Sequence, residues 1–531
     1  MIPASTRCLI FQRDGSVLVN MASPGFGQAR DALRRFAELQ QCLEGFERYR
    51  ITQTALWGAA AGGLDALSVL RVLETFGETP PPATLTAMIH ESMARYGLLR
   101  LEGAVQSLRL CADDPGLLRR LNADLGLAWS DEGLVVPAER RGWVKSALIE
   151  MGFPVIDEAA LISTRPVAYG LRPEVVLRPY QERAVERALA QSGGAVVLLP
   201  CGAGKTVVGV AMAARLQART LVVSPSRTIG EQWRQHFLAM TTLSPDQVRL
   251  YDRASEPGVV TIATYQAMTH RARGQATALD DLFDRPWGLV VFDEVHSLPA
   301  DVFRRSAMVQ ATRRLGLTAT LVREDGRERD VFALVGPPVY SAPWRTLERE
   351  GWIAGVRCVE VRVRASTQPV TDDRLLAAKI RAVRVLVARH AEEPTLVVAQ
   401  RLGEVAAVAH ALGVPSITGQ TPEAERRRLY ASFRAGEIRC LALSRVANAG
   451  VDLPDASVLI QLSGVYGSRQ EEAQRVGRLL RPKGNGRPAT FYTLVAVGTR
   501  ETTDALRRRR FLVDQGYRYE VVSGDSLAPA G

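Results

Sequence analysis

From about residue 170 onward, short apolar runs alternate with stretches in which apolar residues recur every three or four positions. The runs are Ala195–Leu199, Thr220–Val223, Val259–Ala263 and Leu289–Phe292, then, after a gap, Thr395–Ala399, Arg439–Leu443 and Val458–Leu462. Unbroken apolar runs followed by helical periodicity predict strands buried on both faces, joined by crossover helices in a parallel sheet. The gap implies two such α/β sheets, with their boundary near Ala342 to Trp352, beyond the loop Gly336-Pro337-Pro338. Residues 1 to about 165 have another texture. Asp14-Gly15 predicts a hairpin turn, and helical periodicity runs from Ala29 to Phe76 with short glycine-containing interruptions. Beyond Pro80-Pro81-Pro82 an amphipathic helix is expected over Ala83–Tyr96, and Leu98–Leu101 and Ser107–Cys111 flank a glycine and are expected to pair. Helix, helix, hairpin is the outline of a winged-helix module; DNA handling, partner docking and plain packing all stay open for this region.

Composition narrows the class. A chain of 531 residues exceeds what one core organises and implies two to four domains. With 47% hydrophobic and 23% charged residues it is an ordinary folded chain, not a disordered one. No apolar run approaches the roughly 18 to 20 residues of a membrane span, and Arg13 and Asp14 interrupt the N-terminus, so a cytoplasmic location is expected. The cysteines at 8, 42, 111, 201, 358 and 440 are scattered, with no C-x-x-C pair, so neither a zinc or iron–sulfur site nor structural disulfides are expected. A net charge of +11 suits a polyanionic partner. Yet 63 of the 67 basic residues are arginine, which is as compatible with a general arginine bias as with a built surface.

Three segments carry chemistry. The run Ala195–Leu199 leads into Pro200-Cys201-Gly202-Ala203-Gly204-Lys205-Thr206 and a helix expected to begin near Lys205. Glycines there let backbone N–H groups converge on phosphate oxygens at a helix N-terminus. Lys205 reaches the β and γ phosphates, and the Thr206 hydroxyl ligates Mg2+. The general phosphate-loop pattern has glycine where this chain has Leu199, a departure that points toward helicases. In the second segment, Leu289–Phe292 ends in Asp293-Glu294-Val295-His296; Asp293 is placed to hold the metal and Glu294 to orient and deprotonate the attacking water. The third, Gln474-Arg475-Val476-Gly477-Arg478, falls in the second sheet. If it faces the phosphate loop, Arg475 and Arg478 act as arginine fingers and make hydrolysis depend on domain closure. An arginine pair in so arginine-rich a chain is ordinarily solvated surface; the order of the three segments argues otherwise.

These residues, with Thr318-Ala319-Thr320, resemble superfamily two helicases, and finer details resemble the XPB family, its bacterial members above all. The finer details are Leu177-Arg178-Pro179-Tyr180-Gln181, Arg323-Glu324-Asp325, the stretch Gly467 to Arg475, and Tyr49-Arg50-Ile51-Thr52 with Leu56-Trp57. The resemblance therefore spans nearly the whole chain. It implies two RecA-like motor domains, 166–345 and 346–531, behind an α+β accessory region, 1–165. It places Arg178 and Gln181 at adenine, the backbone from Pro200 to Val207 around phosphate, and His296, Gly450, Asp452 and Gln474 in the nucleotide site. Ser226 and Arg227, Thr264, and Arg323, Glu324 and Asp325 are implied to contact DNA. The implied activity is ATP- and Mg2+-dependent 3′ to 5′ movement on DNA and unwinding at single-strand/duplex junctions, tied to repair, in a cytoplasmic, nucleoid-associated protein. Only Arg364 to Ala378 separates Val363 from Lys379, too little for the thumb-like insertion common in this family. Duplex translocation with little unwinding, or an ATP-switched scaffold that recruits a repair nuclease, stay open.

Overall fold

The computed structural model describes residues 6–43, 45–104, 108–159, 166–191, 193–200, 202–269, 278–283, 285–295, 309–319, 328–342, 344–364, 372–444, 456–463, 476, 479, 488–509, 512–513 and 517–527. The chain forms two compact units, with the main division between Ser341 and Ala342.

The first unit holds three sheets. An antiparallel one, in order β1-β2-β4-β3, comprises β1 (Leu9–Phe11), β2 (Ser16–Asn20), β3 (Glu38–Leu43) and β4 (Phe46–Arg50). The hairpin expected at Asp14-Gly15 joins β1 to β2, with Gly15 at φ 78°. The Ala29–Phe76 reading is corrected: helices Phe26–Leu33, Gln53–Ala61 and Ala66–Phe76 are interrupted by the β3–β4 hairpin. That hairpin turns at Gly45 (φ 77°) and hides Glu47 in the core, where it accepts a 2.8 Å hydrogen bond from the Tyr49 hydroxyl. A buried glutamate broke the alternation that would have marked a strand. After the helix Ala83–Ala94 comes a second sheet, β7-β8-β6-β5-β9, built from β5 (Leu99–Glu102), β6 (Arg109–Cys111), β7 (Ala128–Ser130), β8 (Gly133–Val135) and β9 (Val155–Asp157). The expected β5–β6 hairpin forms, but it belongs to five strands and packs with the helices Pro115–Leu125 and Arg141–Glu150, more than a winged-helix outline contains.

The third sheet is parallel throughout: β10 (Gly194–Leu198), β11 (Thr220–Ser224), β12 (Val248–Leu250), β13 (Val260–Thr264), β14 (Trp287–Asp293), β15 (Ala311–Thr318) and β16 (Pro338–Ser341), in order β12-β13-β11-β14-β15-β10-β16. Every residue of β14 is buried, as expected of a strand covered on both faces. Strand β15 was not anticipated because Arg313 and Arg314 interrupt its apolar run. Arg314 is buried and donates to the carbonyls of Leu334 and Val309 at 2.8 and 3.1 Å. The second unit repeats the design with β17 (Val356–Val363), β18 (Thr395–Ala399), β19 (Ser416–Ile417), β20 (Cys440–Ser444), β21 (Val458–Gln461), β22 (Ala489–Ala496) and β23 (Tyr519–Ser523). Its order, β19-β20-β18-β21-β22-β17-β23, is that of the first motor sheet with every strand moved seven places along the chain. No sequence repeat betrays this shared topology.

The N-terminal region is built into the first motor sheet. Trp57 and Ile149 lie in the same apolar core as Val290, Phe292 and Phe332, and Trp57 meets Phe332 at 6.2 Å between ring centroids. Beside them is a buried charge cluster. Arg141 donates to both oxygens of Asp157 at 2.6 and 3.1 Å, Lys145 donates to the same carboxylate at 2.8 Å, and Arg141 also reaches Gln310 at 3.4 Å. Burial pushes the Lys145 ammonium down to about 8. Burial alone would raise the Asp157 carboxyl; the charges of Arg141 and Lys145 hold it well below the usual carboxylate range. Removing that carboxylate strands two buried cations, so Asp157→Ala is expected to destabilise the first unit by about 3–5 kcal/mol. Chemical denaturation measures this; an unchanged midpoint would show the cluster to be dispensable.

Candidate active site

Parallel register brings five strand ends to one edge of the first motor sheet. Leu198 pairs with Thr318, Asp293 with Leu317, Val223 with Phe292, and Ser224 with Thr264. Open α/β sheets bind ligands at the carboxyl ends of their strands, where loops and helix N-termini converge. The phosphate-loop residues leave β10 there. Gly202 and Gly204 have φ of 80° and 82°, a left-handed geometry that glycine adopts without strain, and Ala203 N–H closes a turn onto the Pro200 carbonyl at 3.2 Å. The helix Lys205–Leu216 starts immediately after Gly204, as expected, so its free N–H groups and positive dipole end face the loop.

The Lys205 ammonium donates to Glu294 Oε1 at 2.9 Å, uniting the first two sequence segments. Asp293 ends β14, and its carboxylate accepts from the Trp233 indole N–H at 2.9 Å and from the Glu294 backbone N–H at 3.0 Å. Burial first, and the Glu294 charge second, push the Asp293 carboxyl up to about 6. A divalent cation would relieve that repulsion, and Thr206, in the first turn of the helix, adds a hydroxyl of the hard-oxygen kind that Mg2+ prefers. The donor set therefore fits Mg2+. Glu294 has φ of 48°, unusual for a residue with a side chain and of the kind that concentrates at functional sites.

Gln181 lies against the loop from the other side. Its Oε1 accepts from Arg178 N–H at 3.0 Å, and a side chain at Gly204 would collide with its Nε2. Arg178, whose guanidinium donates to the Tyr180 hydroxyl at 3.2 Å, sits at the N-cap of the helix Pro179–Leu189. Two supports were not foreseen. Trp233 packs so closely on Gly209 that any side chain there would strike its ring, and this holds the indole N–H on Asp293. Tyr265 donates to the Asp293 carbonyl at 2.8 Å. Burial, reinforced by Asp293, raises that phenol well above its ordinary value and keeps it protonated. Nothing in the sequence marks either role.

Ser226 caps the helix Arg227–Met240 by accepting from Ile229 N–H at 3.3 Å, and the Thr264 hydroxyl accepts from Ala267 N–H at 3.1 Å. Ser226 lies just past β11 and Thr264 is the last residue of the adjacent β13, each at the start of a helix, and Arg227 is exposed beside Ser226. Cys201, His296, Arg323, Glu324, Asp325, Gly450, Asp452, Gln474, Arg475 and Arg478 lie outside the described residues.

Comparison with known proteins fits this layout. The profile described as "ERCC3/RAD25/XPB C-terminal helicase" matches residues 347–528, "Type III restriction enzyme, res subunit" matches 174–323, and "Helicase conserved C-terminal domain" matches 9–129. The "DNA 3'-5' helicase XPB" of Kineococcus radiotolerans is 44% identical over 98% of this chain and 97% of its own length. The chain belongs to the XPB helicase family. Its XPB relative in Mycobacterium tuberculosis, of the same name, is 41% identical over 98% of both chains. A "General transcription and DNA repair factor IIH helicase/translocase subunit XPB" from Schizosaccharomyces pombe is 31% identical over 96% of this chain and 75% of its own. Membership of the XPB family implies use of ATP. The "Helicase conserved C-terminal domain" match falls on the N-terminal region of this XPB chain, not on its second motor sheet.

Proposed function

We propose that this chain is an ATP-driven DNA motor that moves 3′ to 5′ and unwinds DNA in repair. The single observation that carries the reading is the Lys205–Glu294 ion pair beside Asp293, at the edge where Gln181 meets the phosphate loop. The backbone from Pro200 through Cys201, Gly202 and Ala203 to Val207 would hold the phosphates, Thr206 and Asp293 would hold Mg2+, and Arg178 and Gln181 would hold adenine. Mg2+ supplies charge neutralisation at the transferring phosphoryl group. Lys205 leaves Glu294 for the β and γ phosphates, and this frees the Glu294 carboxylate to take a proton from water. His296, Gly450, Asp452 and Gln474 complete the nucleotide site, and Arg475 and Arg478 stabilise charge developing on the γ phosphate. The domains are then 1–165, 166–345 and 346–531, in a protein associated with the nucleoid.

Ser226, Arg227 and Thr264, with Arg323, Glu324 and Asp325, are assigned to DNA. Ser226, Arg227 and Thr264 offer hydroxyls, a guanidinium and helix N-termini, which suit phosphates better than base edges. Affinity should therefore be indifferent to sequence and fall steeply with salt, by a slope set by the number of phosphates neutralised. A titration between low and physiological salt checks this; binding insensitive to salt would refute backbone tracking.

A second reading is favoured by one observation. Strand β17 ends at Val363 and the next helix begins at Asp372, which leaves 364–371 between them, shorter than a thumb would need. Translocation along duplex with little strand separation follows from that shortage. The deciding experiment is ATP-dependent displacement of a labelled strand from a 3′-tailed duplex beside the 5′-tailed one, with ATPase measured on each. Displacement of the 3′-tailed substrate alone supports the helicase. DNA-stimulated ATPase without displacement supports the translocase, or a switch that works through a partner nuclease.

A further inference from the structure

Lysine is rare in this chain, with four residues against 63 arginines, and one of the four is buried deep in the second unit. Lys379, on the helix Asp372–Arg389, donates to the Leu462 carbonyl at 3.0 Å and to both carboxylate oxygens of Glu501 at 2.7 and 2.8 Å. All three ammonium protons are thereby used. A compact ammonium can turn three donors toward acceptors on one side, which a planar guanidinium cannot, and this gives a reason for lysine in an arginine-rich chain. Glu501 is itself fixed, accepting at 2.9 Å from the N–H of Ala496, the last residue of β22. The next residue along from Leu462 is pinned as well. The Ser463 hydroxyl accepts from Gln400 N–H at 2.9 Å and donates to Glu404 at 2.6 Å, while Glu404 accepts from Arg401 N–H at 3.1 Å.

Leu462 and Ser463 are the residues that leave β21. In the shared strand order β21 holds the place that β14 holds in the first motor sheet, so these two residues stand where Asp293 and Glu294 stand in the other half. From Ser463 the sequence runs through Gly464 to Gln474, Arg475 and Arg478. The first sheet fixes its strand end for chemistry. The second holds the matching strand end with a buried lysine, two glutamates and a serine.

We propose that Lys379 is a positioning residue for ATP hydrolysis: with Glu501 it clamps the Leu462 carbonyl and sets where the segment bearing Arg475 and Arg478 begins. This rests on the assignment of those arginines above. A misplacement at the root of that segment costs rate and leaves ground-state binding of the nucleotide alone, because the arginines act on charge that develops only in the transition state.

The test uses the full chain with saturating DNA. Lys379→Met keeps most of the side-chain volume and removes the charge; its kcat should fall by about 10²-fold, with KM for ATP and affinity for a fluorescent ATP analogue unchanged. The double variant Lys379→Met/Arg478→Ala should lose no more than Arg478→Ala alone, since the lysine acts through the arginine segment. Glu501→Gln, which keeps the acceptor for Ala496 N–H, should show the same split at smaller size and carries the test if the methionine variant loses its fold. Unchanged kcat in a folded variant, or losses that multiply in the double variant, would overturn the proposal. If Arg478→Ala alone leaves kcat intact, the arginine assignment fails and the Lys379 proposal falls with it.

Discussion

Lys205→Ala is expected to abolish ATP hydrolysis and leave DNA affinity largely intact. The Lys205 ammonium is the positive charge that Glu294 holds at 2.9 Å, beside an Asp293 carboxyl already pushed up to about 6. Without it, phosphate loses its point-charge partner. The two carboxylates also lose their counter-charge, so Mg2+ and nucleotide meet a mispaired site. Ser226 and Thr264, proposed above to meet DNA, keep their own helix caps and do not lean on Lys205. Steady-state turnover with and without DNA, beside a DNA-binding titration, checks both halves. Normal turnover would sink the phosphate-loop assignment.

Arg478→Ala should retain nucleotide binding and lose hydrolysis by roughly 10³-fold or more, the scale seen when arginine fingers are removed. The expected signature is a collapse of kcat with little change in the apparent affinity for ATP, since the guanidinium is proposed to meet charge that exists only during transfer. A small loss would mean that Arg478 is structural. Arg475→Ala provides the companion measurement; as the two residues act on the same developing charge, their losses should not multiply.

Much of this site was legible in the sequence because phosphate chemistry leaves a local signature. The glycines of the phosphate loop, its lysine and the Asp-Glu pair are each tied to a strand end by short-range geometry, and β10, β14 and the helix from Lys205 fell within a residue or two of expectation. What could not be read was held by distant contacts. Trp233 serves Asp293 from sixty residues away, and Arg314 satisfies carbonyls in the middle of an apolar strand. Glu47 hides inside a hairpin on a hydrogen bond from Tyr49. In each case a polar or aromatic group found its partner through the tertiary fold, and a pattern window sees only the violation of periodicity. β22 is different: its run Ala489–Ala496 is largely apolar and was available to read. The common strand order of the two motor sheets left no trace, because topology is conserved by packing rules that many sequences satisfy.

The shared core between Trp57, Ile149 and Phe332 has a practical meaning for how this molecule can be taken apart. A cut near residue 165 would not release two self-sufficient pieces. It would bare the Trp57 and Ile149 side of one fragment and the Phe332 side of the other, and would separate Arg141 from Gln310. Fragments made there should aggregate when expressed alone and regain solubility when produced together, like halves of a split protein. The boundary visible in the sequence marks a change of texture, not a seam along which the molecule comes apart.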